Sequence, residues 1–411
     1  MMTKVSNAIL ILCLVGAGTG SAWAQELSGP GAETCKKAQA AIRAGHLDQA
    51  AALLLEALKQ VRSPGDGALV SGLLARVYTS QGRYDEAKAT LADRAAKTRE
   101  SSYDVELARL ILRCEPDGAA EAAAILKKVV TREPRNVDAW IENGRALARC
   151  GKLNESELAY QTVTVSLAPR DIRAHHGLTE TLILKRQFAR AIANAMATRG
   201  LGPETAESYC WLGRAHDRDR SNPGSYSSAN EQYETAYKLD RTQTMYLGHL
   251  LFNLIMSDNH SVARSHARRL NKLPDDSVKL WFDGLLTELE GNVGGAVALY
   301  ERALAVNPGN VYAYFALANV HMGRPTPGFG PVKGARHEEW RYAPHRDVGK
   351  ARGELVAIRL LDPTFPFLDT LLTQASDRLA DAGPAAPVLD EKGVEAMKKL
   401  VAYYKHLRLV R

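Results

Sequence analysis

Residues 134–169 read PRNVDAWIENGRALARCGKLNESELAYQTVTVSLAP, and this stretch indicates the fold of most of the chain. Gly144 lies inside the first apolar segment, where a residue without a side chain lets a second helix approach closely. Gly151 stands where the first helix would end, because glycine adopts the left-handed backbone of a helix C-terminus at little cost. The stretch therefore predicts a helix–turn–helix pair that is closed by Pro169.

The same content recurs along the chain at intervals close to 34 residues. The closing prolines are separated by 35, 34, 71 and 34 residues, and they are Pro134, Pro169, Pro203, Pro274 and Pro308. Small residues hold the helix-packing positions of other copies, namely Ala75, Gly213 and Gly284 on first helices and Ala87, Ala229 and Ala296 on second helices. Because each pair has an apolar face that it cannot bury alone, neighbouring pairs must stack.

These residues resemble the tetratricopeptide repeat, a helix–turn–helix of 34 residues with small residues at fixed points and a closing proline. About nine copies extend from Cys35 to roughly Pro363. The resemblance implies an all-α fold, a right-handed superhelical solenoid whose first helices line a concave groove. We expect a signal peptide over 1–24, the solenoid over 25–363, and capping helices with a basic tail over 364–411. A different helical-pair solenoid is the alternative.

Two insertions interrupt the repeats. Arg218–Ser225 lengthens the turn inside the sixth copy, and residues 323–346 separate the two helices of the ninth. The longer insertion carries Phe329, Trp340 and Tyr342, which are unusual in a flexible spacer. It predicts a partner-binding or lid element, and the alternative is a loop that covers an apolar edge of the ninth repeat.

The amino terminus has the order of a secretory signal peptide. Lys4 is followed by an apolar run from Ala8 to Val15 and by Ala22-Trp23-Ala24, a small-x-small cleavage site. We expect cleavage after Ala24 and a periplasmic or secreted protein, since no later stretch has the length of a membrane span. An uncleaved anchor or a different start of the chain is the alternative.

Four cysteines would remain after cleavage: Cys35, Cys114, Cys150 and Cys210. They are too few and too widely spread for a disulfide-built fold. Cys114 and Cys150 hold equivalent points on adjacent first helices, which predicts a separation of about 9–10 Å, beyond the ~7 Å Cα limit for a bridge. Extra turn residues after Cys114 leave a disulfide between these two as the alternative. The other two cysteines are expected to be free thiols.

Candidate catalytic and metal-binding patterns are weak. Gly328-Phe329-Gly330 lacks the preceding strand of a phosphate-binding loop, and no Gly-x-Ser-x-Gly element is present. The histidines near the insertion are His321, His337 and His345, and the adjacent acids are Glu338 and Glu339. These residues lack the i, i+4 pairing of a zinc protease helix. We interpret the three histidines as solvated. We expect no metal, no cofactor and no enzymatic activity, and an active site in 323–346 is the less favoured alternative.

An arginine directly follows the small residue of the first helix in four of the nine copies: Arg76, Arg109, Arg145 and Arg214. In tetratricopeptide repeats this position points into the concave face. The functional hypothesis is that these guanidinium groups bind an acidic peptide or carboxylate-bearing polymer. The structural alternative is that they pair with acids on the neighbouring first helix. Phe252 and Leu285 predict that the later part of the groove is apolar.

The family resemblance implies protein binding. We therefore expect an exported scaffold whose groove binds a partner protein, within a cell-envelope assembly, secretion or polysaccharide-export system. Direct binding of an anionic glycan or cell-wall polymer is the alternative, for which Trp281, Tyr312 and Phe315 are the groove-side aromatic residues. A formal charge of +7 on 411 residues is mild and does not indicate nucleic-acid binding.

Overall fold

The computed structural model describes residues 30–381 except for 99, 116, 203, 220–223, 274, 327–341 and 366–367. The described residues form nineteen α-helices and no strand, and eighteen of the helices form consecutive pairs. In chain order the pairs are α1 (Pro30–Arg43) with α2 (Leu47–Gln60), α3 (Pro64–Ser80) with α4 (Tyr84–Thr98), α5 (Ser101–Cys114) with α6 (Ala119–Arg132), α7 (Val137–Arg149) with α8 (Leu153–Gln161), α9 (Ile172–Leu184) with α10 (Phe188–Arg199), α11 (Ala206–Arg218) with α12 (Ser225–Leu239), α13 (Thr244–Met256) with α14 (His260–Ala267), α15 (Ser277–Leu289) with α16 (Val293–Val306), and α17 (Val311–His321) with α18 (Val348–Leu361). The last helix, α19, covers Leu368–Asp381.

This element order confirms the predicted all-α fold of nine helical pairs. It also confirms a further helix after the ninth pair. The signal peptide, its cleavage site after Ala24 and the basic tail lie outside the described residues.

Local sequence signals set where the helices begin and end. Asn136 caps α7, since its side-chain oxygen accepts the Ala139 N–H at 3.0 Å. The first helices α3, α7 and α15 each end before a glycine with positive φ, namely Gly82 (75°), Gly151 (74°) and Gly291 (85°). This is the left-handed C-terminal position that the sequence predicts.

Close contact between the two helices of a pair depends on the predicted small residues. A Cβ atom on Gly144 would lie 2.8 Å from the ring of Tyr160, and one on Gly284 would lie 2.5 Å from the ring of Tyr300. Gly213 makes the same contact with the tyrosine of its own pair. In each of these pairs the second helix therefore places a tyrosine ring directly over the glycine of the first.

The chain divides into two compact units between Val163 and Thr164. The described part of unit 1 contains α1–α8, and that of unit 2 contains α9–α19. The border falls within Thr162–Leu167, where α8 continues as a π-helix. Each unit has a core of its own, which in unit 1 is made largely of alanine and leucine and in unit 2 is rich in aromatic rings.

The long insertion is attached at both ends to α15. The Glu288 carboxylate accepts hydrogen bonds from Thr326 N at 2.8 Å, Thr326 Oγ1 at 2.9 Å and Tyr342 Oη at 3.2 Å. Tyr342 is buried, as expected if the insertion packs onto the repeats. Phe329 and Trp340 lie outside the described residues, so binding of a partner by this segment stays a prediction.

Three of the cysteines are free thiols in the structure. They are Cys35, Cys150 and Cys210. Cys35 and Cys210 are buried, as expected for residues packed between helices, and the prediction of free thiols at these two positions is confirmed. The alternative disulfide does not form, because Cys150 is free.

Candidate functional site

The first helices of unit 1 carry three of the four predicted arginines. Arg76 lies on α3, Arg109 on α5 and Arg145 on α7, so that each stands on a successive first helix. The neighbouring first helices contribute Glu106 from α5 and Glu142 from α7. We call these five residues the charged row.

Arg109 forms the centre of the charged row. Its guanidinium donates to Glu142 on the next first helix at 2.9 Å and to Glu106 one turn earlier at 2.5 Å, and it lies 3.3 Å from Asp138. The Arg109 side chain is 17% exposed and Glu142 is 6% exposed, so solvent screens this pair only weakly. Arg109 therefore makes the contacts of the structural alternative, holding α5 against α7.

Glu142 is shared between two arginines. Arg145 donates to its second oxygen at 2.8 Å. Burial alone would raise the pKa of the Glu142 carboxyl, but Arg145 and Arg109 outweigh burial and lower that pKa to about 2. This carboxylate is charged at any physiological pH, and binding of a partner by Arg109 or Arg145 stays a prediction.

Arg76 differs from the other arginines of the row. Its guanidinium forms no ion pair with a described residue, and its Nε atom is buried without a hydrogen-bond acceptor. Burial lowers the pKa of Arg76 to about 10, helped by the like charge of Arg113 and opposed by Glu106. At neutral pH the group is a partly buried cation that forms no ion pair with a described residue.

The fourth predicted arginine, Arg214, lies on α11 in unit 2 and is engaged within the chain itself. It forms an ion pair with Asp362 and donates to Thr364 Oγ1 at 2.6 Å. Its guanidinium also lies 4.4 Å from the ring centroid of Trp211, a cation–π contact that fixes its position. Unlike the arginines of unit 1, Arg214 contacts residues about 150 positions later in the chain.

Arg218, one turn after Arg214, completes a buried charge cluster. It forms an ion pair with Asp217, lies 3.4 Å from Asp362, and donates to the Thr364 carbonyl at 2.5 Å. The Arg218 and Asp362 side chains are 8% and 3% exposed. Two arginines and two aspartates thus neutralise one another inside unit 2.

The aromatic part of the predicted groove is covered. Phe365 lies with its ring centroid 5.4 Å from Phe252, 5.3 Å from Phe315 and 6.1 Å from Tyr312. Trp281, Tyr312 and Phe315 are at most 4% exposed. The expectation that these rings face an open groove is therefore wrong: Phe365 packs against Tyr312 and Phe315, and the Trp281 ring lies against that of Tyr312.

The histidines next to the insertion have different environments. His321 is buried, and its Nδ1 lies 2.9 Å from Glu354 on α18. Burial raises the pKa of Glu354 to about 7, although the hydrogen bond and charge of His321 oppose this shift. Our interpretation of His321 as a solvated histidine is wrong, since helix packing encloses it; His337, Glu338 and Glu339 lie outside the described residues.

Two further features bear on function. Among the residues that the structure describes, no three histidine, cysteine, aspartate or glutamate side chains gather where a metal ion could bind. In the same part of the chain, the helices are too short or too polar to cross a bilayer.

Sequence reasoning located the arginines but missed their acidic partners. Glu142 follows Arg109 by 33 residues, one repeat length, and this spacing is a signal that could have paired them. No comparable signal marks Asp362, Thr364 and Phe365, because they contact repeats that are distant in sequence.

Comparison with protein families gives two matches. A model described as a tetratricopeptide repeat matches residues 41–110, and a second model with the same description matches residues 290–326. The first covers α2–α4 and most of α5, and the second covers the whole of α16 and α17. Among curated proteins, no sequence matches the chain.

Solved structures of repeat proteins are also similar to parts of the chain. MamA from Desulfovibrio magneticus is 26% identical, with 41% of this chain and 94% of that one covered and a TM-score of 0.34. A thermophilic TPR protein from Thermus thermophilus is 18% identical, covering 46% of this chain and 99% of its own, with a TM-score of 0.40. A tetratricopeptide repeat protein from Parabacteroides merdae is 10% identical, covering 67% and 93%, with a TM-score of 0.42.

Proposed function

Because the chain is a tetratricopeptide-repeat protein, we propose that it is a protein-interaction scaffold whose unit 1 binds an acidic segment of its partner at Arg76. A tetratricopeptide fold is typically a non-catalytic scaffold, in keeping with a function in binding.

The observation that carries the proposal is that Arg76 has no ion-pair partner among the described residues and that its buried Nε atom has no hydrogen-bond acceptor. A partly buried guanidinium without an ion-pair partner is unfavourable, and a bound carboxylate would supply the acceptor that its buried Nε atom lacks. Arg113 adds positive potential at the same place. Arg109, by contrast, already has three carboxylates around it and gains little from a fourth.

A labelled peptide of eight glutamates tests this site in the mature chain. We expect Arg76→Glu to weaken its binding at least tenfold, and we expect salt between about 50 and 300 mM to weaken binding to the unchanged protein. The matched control is Lys127→Glu, which makes the same charge change on an exposed position of the second helix α6. Equal affinities of the two variants would contradict the proposal.

The anionic glycan hypothesis is an outcome of the same experiment. Labelled polygalacturonate is titrated against the unchanged protein and against both variants. Binding of the polysaccharide that depends on Arg76, without binding of the glutamate peptide, would replace the protein-partner proposal by the glycan hypothesis.

We further propose that the scaffold works outside the cytoplasm, in an envelope assembly, secretion or polysaccharide-export system. The support is the order of charge, apolar run and cleavage site over residues 1–24. Intact-mass measurement of the protein from the periplasmic fraction should give a chain that starts at Gln25. Retention of the full-length chain in the cytoplasm would contradict this setting.

A further inference from the structure

The connection between α18 and α19 lies in unit 2, and its described part, residues 362–365, is a turn closed by a hydrogen bond from the Phe365 N–H to the Asp362 carbonyl at 3.0 Å. Asp362, Thr364 and Phe365 are 3%, 7% and 4% exposed, whereas Pro363 between them is exposed. The segment thus presents three side chains to the protein and one to solvent.

Its contacts reach the sixth repeat from the end of the ninth. Arg214 and Arg218, both on α11, hold the Asp362 carboxylate, and they also donate to the Thr364 hydroxyl and carbonyl. In a stack of repeats each pair touches only its neighbours. A contact between repeats six and nine therefore indicates that the segment crosses the side on which the intervening first helices lie.

The aromatic end of the segment occupies a cage of rings. Phe365 packs against Phe252 of α13 and against Tyr312 and Phe315 of α17. The ring of Phe252 lies 4.7 Å from that of Tyr312. One aromatic anchor is thus surrounded by rings from the seventh and ninth repeats.

These contacts are those of a bound peptide. A pair of guanidinium groups binds a carboxylate, a hydroxyl and a backbone carbonyl accept further hydrogen bonds, and an aromatic side chain fills an apolar cage. The contacts described above are made to side chains and one carbonyl of the segment. A separate polypeptide with the same groups in the same order would make the same contacts.

We propose that unit 2 contains a second polypeptide-binding site, specific for the sequence Asp-x-Thr-Phe, which the chain's own residues 362–365 occupy. The site recognises a carboxylate and an aromatic ring three residues later, and it is separate from the charged row of unit 1. A partner segment of this chemistry binds when the resident segment leaves the site.

The resident segment, residues 362–365, determines how tightly the site binds a free peptide. A covalently attached ligand has an effective concentration in the millimolar range, so a free peptide competes poorly with it. The apparent affinity of a free peptide falls in proportion to the fraction of molecules whose site is open. Removing the side chains of the resident segment should therefore uncover the binding of a free peptide.

The experiment uses the full chain with Asp362→Ala and Phe365→Ala together, and a labelled peptide of residues 360–367, Leu-Leu-Asp-Pro-Thr-Phe-Pro-Phe. We expect the double variant to bind the peptide at least tenfold more tightly than the unchanged protein. The matched control is Pro363→Ala, which changes the exposed residue of the same segment and should bind no better than the unchanged protein. Peptides with Asn for Asp or Ala for Phe should bind the double variant at least tenfold more weakly.

A second measurement tests the proposal if the double variant is poorly folded. If the site exists, the free peptide restores the missing carboxylate and ring, so helical circular dichroism and melting temperature should rise with peptide concentration. A folded double variant that does not bind the peptide would overturn the proposal. An unfolded one that the peptide does not restore would overturn it equally, as would binding that is insensitive to both peptide substitutions.

Discussion

The two units use the same repeat but treat the equivalent face of their first helices in opposite ways. In unit 1 the face carries the charged row, in which arginines and glutamates of successive first helices pair locally. In unit 2 the face carries aromatic rings and a buried charge cluster, and residues from the end of the ninth repeat pack over both. The repeat thus sets the helical frame and leaves the chemistry of the face free to vary.

The difference shows how charge can be placed on such a face. In unit 1 the outer ion pairs keep contact with water, since Arg145 is 35% exposed and Asp138, beside the charged row, is 46% exposed, so these pairs contribute modestly. The cluster around Asp362 excludes water, and its arginines would be costly without their carboxylates. We therefore expect substitutions in unit 2 to have larger effects on stability than equivalent substitutions in unit 1.

The largest difference is expected for the loss of one carboxylate in each unit. Asp362→Ala leaves Arg214 and Arg218 with a single aspartate between them, so the free energy of unfolding should fall by about 3–5 kcal/mol. Asp138→Ala removes one of three carboxylates around Arg109, and it should cost less than about 1 kcal/mol. Urea denaturation followed by circular dichroism measures both. Equal losses would remove the distinction between the two faces.

The buried pair of His321 and Glu354 should make unit 2 sensitive to pH. Because the pKa of Glu354 is raised from 4.5 to about 7 in the folded protein, its favourable contribution is complete below about pH 4.5 and is lost as the pH rises through 7. The loss is on the order of 3 kcal/mol. In Glu354→Gln this part of the pH dependence should disappear, as thermal melts at pH 5 and pH 8 can measure. The same fall in melting temperature in both proteins would contradict this assignment.

The packing inside a helical pair should not differ between the units. Gly144→Ala in unit 1 and Gly284→Ala in unit 2 each place a methyl group against a tyrosine ring, and each should cost about 1–3 kcal/mol. Denaturant titration of the two variants measures the costs. The control is Gly200→Ala, where a Cβ atom would lie 3.6 Å from the Ala197 carbonyl oxygen, an ordinary van der Waals contact. A large difference between the two substituted pairs would show that the frame, and not only the face, differs between the units.

The smallest effect is expected at Arg76, and its sign is the informative result. Replacing this partly buried cation, which has no ion-pair partner among the described residues, by methionine should raise the free energy of unfolding by up to about 1 kcal/mol. Arg109→Met should lower it, because Glu106 and Glu142 would lose their partner. Denaturation of both variants in the absence of any ligand is the measurement. A destabilised Arg76→Met would mean that Arg76 supports the fold and would weaken its proposed function in binding.

The sequence was sufficient for those parts of the structure that depend on short spacings. Gly144 and Gly151 predicted a helix contact and a helix end, and the structure has both. The position of Arg109 on a first helix followed from the same register. Its pairing with Glu142 was left open as one of two alternatives, because the sequence alone does not show which way two long side chains turn.

The sequence by itself determined the helical pairs, their number and the glycines at their contacts, because each of these depends on residues within one or two repeats. Only the tertiary structure decided which faces stay open. Asp362 and Phe365 reach Arg214 and Phe252 across more than a hundred residues, and no periodic pattern records such a contact. Phe365 also packs against Tyr312, so a ring that the repeat directs towards a groove is covered once another part of the chain packs over it.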